Sequence, residues 1–303
     1  MCEKLAYKVI IPLFKNKKIA YLDIPIYYNV GDLLIYKATE EFIKIYNINV
    51  IYRSSFHNLN HCKINEADII LLQGGGNFGD LYPKHQKFRE DIIKKYPKKI
   101  IICLPQSIQF KNELSMLESS VIFSSHDFFY LLVRDTVSYR IGKKFSTRVF
   151  LTPDIVENFN NFLINMSYKL KLKNNDCKLF FLRNDIESNH TIDFDKDLKK
   201  IIDWHDFINF YDKLILKISI LLSQKKIFNK LHIYIWSSHV DILIARCIKY
   251  FRYYNFVETD RLHGYILAKL LNINVKLIDN NYKKNSRYYQ QWNKINKVDD
   301  LNG

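Results

Sequence analysis

The run "ADIILLQGGGNFGDLYPKHQKFREDIIKKYPKKIIICL", residues 67–104, sets the fold class. It begins with an apolar segment that ends in three glycines, continues through an amphipathic stretch, and closes on a second apolar segment. A short, continuous apolar run is the pattern of a strand buried on both faces, and parallel sheets covered by helices bury both faces. The spacing predicts strands over 67–73 and 98–104 with a helix over 85–96 between them.

The same alternation extends in both directions. Strands are predicted over 18–24, 49–53, 128–135 and 148–154, with a helix over 32–47 and a short one between the last two strands. The pattern fades in "ENFNNFLINMSYKLKLKNND", residues 157–176. It then restarts with strands over 177–183, 231–238, 255–259 and 274–280, separated by helices over 206–225, over 239–252 and after 259. Strands alternating with helices indicate an α/β fold. The expected architecture is two Rossmann-like domains facing across a cleft, spanning 1–155 and 156–303.

Composition narrows the function. With 46 basic against 31 acidic residues the formal charge is +15 over 303 residues. Such a balance suits nucleic acid, anionic membrane or acidic substrates. The lysines are scattered rather than gathered in one arm and no nucleic-acid motif accompanies them, so no nucleic-acid partner is expected. A contact with the anionic inner face of a membrane fits better. No apolar run approaches the length of a membrane span, and the first residues lack a signal-peptide pattern, so a cytoplasmic protein is expected. Cys2, Cys62, Cys103, Cys177 and Cys247 are odd in number and form no CxxC, which argues for free thiols and against a zinc or redox motif.

Ligands of doubly wound sheets bind beyond the carboxyl ends of the strands, so the segments there carry the chemistry. "GGGNFG" matches GxGxxG in form, yet the next strand ends without the carboxylate of a dinucleotide fingerprint and no Walker lysine follows. Gly75 and Gly76 still permit close backbone approach, and Asn77, Asp80 and His85 offer polar groups over the cleft; a tight turn with capping residues is the plainer reading. In "YNVGDLLI", Gly31 and Asp32 open a helix, where Asp32 serves either as an N-cap or as a carboxylate at the cleft mouth. Arg183 ends a buried strand and is either a bidentate anion ligand or the partner of Asp185 or Glu187.

"VETDRLHGYILAKLL", residues 257–271, adds a helix start that carries a cation, an imidazole and a glycine. Arg261 opposes the helix dipole there, so a plain helix would not choose it. Free backbone N–H groups together with Arg261 make an anion site, and His263 can move a proton near neutral pH. Gly264 allows a ligand near the turn although it weakens a helix by roughly 1 kcal/mol relative to Ala. Thr259 or Asp260 is expected to cap this helix.

Taken in order, "YNVGDLLI", "QGGGNFGDLY", "RD..S", "TPD", "FFLRND" and "TDRLHGYILAKLL…DNNYKK…YY..W" resemble the polysaccharide pyruvyl transferase family over roughly residues 20–292. The resemblance implies a GT-B-like pair of domains and a ketal pyruvyltransferase that uses phosphoenolpyruvate in the biosynthesis of bacterial surface polysaccharide. It implies donor contacts for Arg183, Arg261, Leu262 and His263, joined by Gly264 in the same turn, on the 156–303 side. The acceptor, a saccharide expected to be lipid-linked, would lie on the 1–155 side near Asn29, Gly31, Asp32, Gly75, Gly76, Asn77, Asp80 and His85. His263 is the expected general acid, and Asp32 or Asp80 the base. Neither a metal nor an organic cofactor is expected, phosphoenolpyruvate being a co-substrate. A glycosyltransferase taking a nucleotide sugar on the same scaffold is the alternative.

Overall fold

The computed structural model describes residues 3–57, 59–168, 177–185, 201–225, 229–279 and 283–299. Helix α1 (Glu3–Ile10) and a 3₁₀ turn lead into β1 (Ile19–Leu22), α2 (Val30–Ile45), β2 (Val50–Ser54), α3 (His61–Glu66) and β3 (Ile69–Leu72). Then follow β4 (Gly75–Phe78), α4 (Pro83–Lys95), β5 (Ile100–Ile108), α5 (Glu113–Ser124), β6 (Phe129–Val133), α6 (Thr136–Gly142) and β7 (Arg148–Leu151). The seven strands form one parallel sheet ordered β2-β1-β3-β5-β6-β7, with β4 paired to β5.

The glycine run is a kink in a strand. β3 pairs with the first half of β5, through Leu72 opposite Cys103, and β4 resumes the pairing at Gly75 opposite Gln106. Pro105 lies in β5 between the two stretches and has no N–H to give, so the break falls where the ladder would be incomplete in any case. A Cβ on Gly74 would lie 2.9 Å from the Pro105 carbonyl oxygen, and Gly75 adopts φ +140°. Only glycine passes this corner without strain.

β1 leads to β2 on one side and β3 on the other. The strand order therefore reverses between β1 and β3, and the crevice at such a reversal is where doubly wound sheets bind ligands. The segments leaving these two strands are the ones that carry Tyr27, Asn29 and Asp32 and the Gly76–Asn77 pair.

The second half begins with α7 (Ile155–Asn158) and α8 (Asn161–Tyr168). It continues through β8 (Lys178–Phe181), a 3₁₀ turn (Trp204–Phe207), α9 (Phe210–Ser223), α10 (Asn229–Phe251), β9 (Phe256–Thr259), α11 (Leu262–Leu270), β10 (Asn274–Leu277) and α12 (Lys284–Asp299). Its described strands form a parallel sheet ordered β10-β9-β8. The strand expected over 231–238 is instead the start of α10. Trp236, Val240, Leu243, Ile244, Cys247, Ile248 and Phe251 are all buried at helical spacing, so packing along one face outweighs the local alternation.

The halves share an apolar cluster that runs from Tyr7 and Phe42 through Val156 to Trp236, Ile244 and Ile266. The buried Trp236 indole N–H donates to the Pro25 carbonyl at 2.8 Å. α12 crosses back to the first sheet, where the Trp292 indole donates to the Arg134 carbonyl at 2.7 Å. The start of this helix also meets the second half, where the Asn285 amide donates to the Asp260 carbonyl at 2.5 Å.

A Cβ on Gly264 would meet Phe181 at 2.7 Å and the Thr259 hydroxyl at 2.9 Å, so this glycine seats α11 on β8 and β9. Gly264→Ala is expected to lower unfolding stability by about 1–3 kcal/mol in denaturant melts, because overpacking exceeds the roughly 1 kcal/mol gain in helix propensity. Asp260 follows β9 and accepts the Arg183 N–H at 2.8 Å, tying the ends of β8 and β9. Burial pushes its carboxyl from 3.8 up to about 6, against the Arg183 hydrogen bond and the nearby guanidinium charges. A carboxyl raised in the folded state gives its full stability below the unfolded value and loses it as pH rises toward 6. Asp260→Asn keeps an acceptor for Arg183 and removes that loss. Unfolding free energies from urea melts are expected to fall less between pH 4 and 6 than in wild type, by up to about 3 kcal/mol.

Candidate active site

The ends of both sheets enclose a cleft of about 480 Å³. Tyr27, Asn29, Asp32, Gly76, Asn77 and His85 line one wall; Arg183, Asp185, Arg261, Leu262 and His263 line the other. Ser107, Arg134, Tyr82, Trp204, Lys284 and Asn285 complete it.

On the first wall, Asn29 rather than Asp32 is the N-cap of α2, its side chain accepting the Gly31 N–H at 3.1 Å. Asp32 sits in the first turn with its carboxylate toward the cleft, accepting the Tyr27 hydroxyl at 3.1 Å. Burial raises its pKa, opposed first by the charge of His263. Asn77 is held by Arg89, which donates to its side-chain oxygen at 2.5 Å and to its carbonyl at 3.0 Å. His85 Nδ1 lies 2.9 Å from the carboxylate of Asp23, itself buried and paired with Arg89 at 2.8 Å. The imidazole of His85 is therefore fixed in orientation at the cleft edge.

The opposite wall is built on α11. Its N-cap is Arg261, without a side-chain cap, and not Thr259 or Asp260 as expected. Thr259 instead accepts the Arg261 N–H at 3.0 Å. The expected open cationic field is neutralised by carboxylates. Arg261 forks onto Asp203 at 2.8 and 2.5 Å and reaches Asp185 at 2.8 Å. Arg183 holds the same Asp185 at 2.8 and 3.2 Å. Both readings of Arg183 meet here, since it faces the cleft and pairs with Asp185; Glu187 lies outside the described residues.

His263 joins the walls. Its Nε2 lies 3.2 Å from Asp154 Oδ2. A Cβ on Gly31 would come within 2.9 Å of its Nδ1. Gly31 thus admits the imidazole against α2. Asp154 also receives Arg134 at 2.5 Å, and Arg134 reaches the Ser107 hydroxyl at 3.1 Å. Burial alone would raise the Asp154 pKa, but the charges of His263 and Arg134 outweigh it and hold the carboxyl well below its ordinary range.

The structure brings Asn29, Asp32, Gly76, Asn77, His85, Arg183, Arg261, Leu262 and His263 around one cleft. It does not bring Asp80 there. Both oxygens of its carboxylate are taken by backbone N–H groups of Lys111 and Asn112 at 2.8–2.9 Å, so it braces the turn into α5. Gly264 faces Phe181 and Thr259, so its small size serves helix-to-sheet packing rather than ligand approach. Gly75 is the strand corner behind Asp32.

Sequence reasoning missed Arg134 and Asp154 as site residues, although both stand in strand-end segments. In "RDTVS", Asp135 caps α6 through the Ser138 N–H at 2.8 Å, leaving the arginine to the cleft. In "TPD", Asp154 caps α7 through the Val156 N–H at 3.1 Å with one oxygen and serves His263 and Arg134 with the other. Lys284, whose ammonium donates to the Gly76 carbonyl at 3.3 Å, ends the "DNNYKK" stretch but was not read as a site residue, because it reaches the cleft only through the return of α12.

The profile of the polysaccharide pyruvyl transferase family matches residues 29–282. EpsO of Bacillus subtilis (strain 168), provisionally named a pyruvyl transferase, is 36% identical over 284 residues, covering 92% of this chain and 86% of that protein. Pyruvyl transferase 1 of Schizosaccharomyces pombe is 33% identical over 154 residues, 46% of this chain and 38% of its own length. The crystal structure of an uncharacterized protein from Klebsiella pneumoniae subsp. pneumoniae NTUH-K2044 superposes with a TM-score of 0.62 at 22% identity, over 96% of this chain and 95% of that one, which places the two in the same fold. With the family pattern spanning both walls of the cleft and most of the chain, this protein belongs to the polysaccharide pyruvyl transferase family.

Proposed function

We propose that this protein transfers the pyruvyl group of phosphoenolpyruvate onto two hydroxyls of a sugar, in a surface polysaccharide or its lipid-linked precursor, and so forms a pyruvate ketal. One observation carries the reading: a guanidinium pair and an imidazole on one wall oppose a carboxylate, two amide side chains and an oriented histidine on the other. Membership of the family supports pyruvyl transfer to polysaccharide as the reaction class. In this reading residues 1–155 are the acceptor half and 156–303 the donor half of a GT-B-like pair.

The donor carries a carboxylate and a phosphate. Asp185 is held by both Arg183 and Arg261, the position a substrate anion would take by displacing it. Guanidinium groups grip either anion bidentately. Asp203 keeps Arg261 in place from behind. The enol methylene of phosphoenolpyruvate takes a proton and C2 becomes cation-like. A sugar hydroxyl then forms its bond to C2 as Asp32 accepts the hydroxyl proton. The C2–O bond to phosphate breaks with both electrons going to phosphate, and the second hydroxyl bonds to C2 to close the ring as its proton passes to the departing phosphate.

His263 is the proton donor. Its Nε2 is anchored by Asp154, which leaves Nδ1 as the nitrogen that gives the proton. The raised pKa of Asp32 suits a base, because a stronger base captures the hydroxyl proton more readily. Asn29, Asn77 and His85 bind acceptor hydroxyls. The mechanism uses neither a metal nor an organic cofactor.

The test is incubation with phosphoenolpyruvate and a panel of lipid-linked and synthetic glycosides, read by mass spectrometry and phosphate release. The expected product has gained pyruvic acid less one water, with one phosphate released per ketal. A product formed only from a nucleotide sugar would overturn the reading. In the same assay His263→Gln is expected to lower kcat by about 10²-fold or more with little change in KM for phosphoenolpyruvate. Unchanged turnover in that variant would remove His263 from proton transfer.

A further inference from the structure

We propose that α9 is a docking surface for an anionic lipid bilayer. Five large apolar side chains lie exposed along this helix: Phe210 is 74% exposed, Tyr211 71%, Leu214 46%, Ile218 39% and Leu221 61%. Their spacing of three and four residues places them on one stripe.

Charge selects the occupant. Lys213 and Lys217 are exposed within the same turns, and the exposed Lys225 follows at the C-terminal end. The one carboxylate in the sequence of α9, Asp212, is withdrawn to the inner face. There it caps the Asn209 N–H at 2.6 Å and pairs with Arg246 at 2.6 Å, beside the buried His239. The exposed face is therefore apolar and cationic, with no anion of its own. A second copy of this face would set lysine against lysine, whereas an anionic headgroup layer over acyl chains matches both features. Aromatic rings at the first turn suit the headgroup boundary.

The inner side of α9 meets the segment that lines the cleft. The Tyr28 hydroxyl donates to the Asp212 carbonyl on α9, and its neighbours in the chain, Tyr27 and Asn29, line the acceptor wall. A bilayer against α9 would hold that wall close to the headgroups. The docking surface stands whether or not the acceptor is lipid-linked.

The experiment is co-sedimentation of the full chain with vesicles of phosphatidylcholine alone and with about a third phosphatidylglycerol. Wild type is expected to partition to the anionic vesicles, less so as salt rises. Leu214→Glu with Leu221→Glu is expected to reduce partitioning more than about tenfold. Lys213→Glu with Lys217→Glu is expected to reduce the preference for anionic vesicles by about tenfold or more, each lysine supplying roughly fivefold. Thermal melts and turnover of a water-soluble acceptor are expected to match wild type in both variants, which separates loss of docking from loss of fold or chemistry. Absence of wild-type binding to anionic vesicles would overturn the proposal, as would variants that bind like wild type. So would a concentration-dependent dimer in sedimentation velocity that the leucine variant abolishes.

Discussion

A single buried carboxylate, that of Asp154, holds the site together. It stands at the end of the first sheet and meets Arg134 from β6 and His263 from the start of α11, while its backbone N–H donates to the Tyr288 hydroxyl on α12 at 3.0 Å. Isolated in a nearly water-free interior, such a charge would be very unfavourable. Surrounded by a guanidinium, an imidazole and the α7 N-terminus, it is satisfied on every side. Separating the halves would strip it of His263 and of the Tyr288 hydroxyl and leave Arg134 as its charged partner, so the cleft is wedged at its base by electrostatics as well as by the shared apolar cluster.

Glycines make that convergence possible. Gly31 leaves room for the His263 ring against α2, Gly264 lets α11 settle on Phe181, and the corner at Gly74 and Gly75 turns β3 into β4 beside Asp32. In a chain with only 8 glycines, these positions mark where backbone or ring must approach closely. They shape the site from behind, while Gly76 alone of the glycine run lines the cleft.

The alternation of apolar runs and helices made the parallel sheet legible, because burial on both faces leaves a composition that no surface strand has. The reversal between β1 and β3 is not local, yet strand-end segments could be collected without it, which is why Asp32, Asn77, Arg183 and Arg261 emerged from the residues, while Asn29 came only with the family resemblance. What could not be read was pairing across the chain. Asp203 engages Arg261 across 58 positions and Asp185 joins two arginines, so the wall is far less cationic than its arginines suggest. Asp80 has the spacing of a cleft residue but is consumed by the Lys111 and Asn112 amides. "LHIYIWSS" has the alternation of a strand and becomes helix because the residues after it continue an apolar face at helical spacing.

In the proposed function Arg183 and Arg261 form a site for the anion of phosphoenolpyruvate, with Asp185 standing in for it. Calorimetric titration of phosphoenolpyruvate and of nucleotide sugars into wild type and Asp185→Asn tests it most directly. The predicted result is saturable binding of phosphoenolpyruvate, tighter in Asp185→Asn because the competing carboxylate is gone, with no saturable binding of the nucleotide sugars. Saturable binding of a nucleotide sugar, with none of phosphoenolpyruvate to either protein, would contradict it.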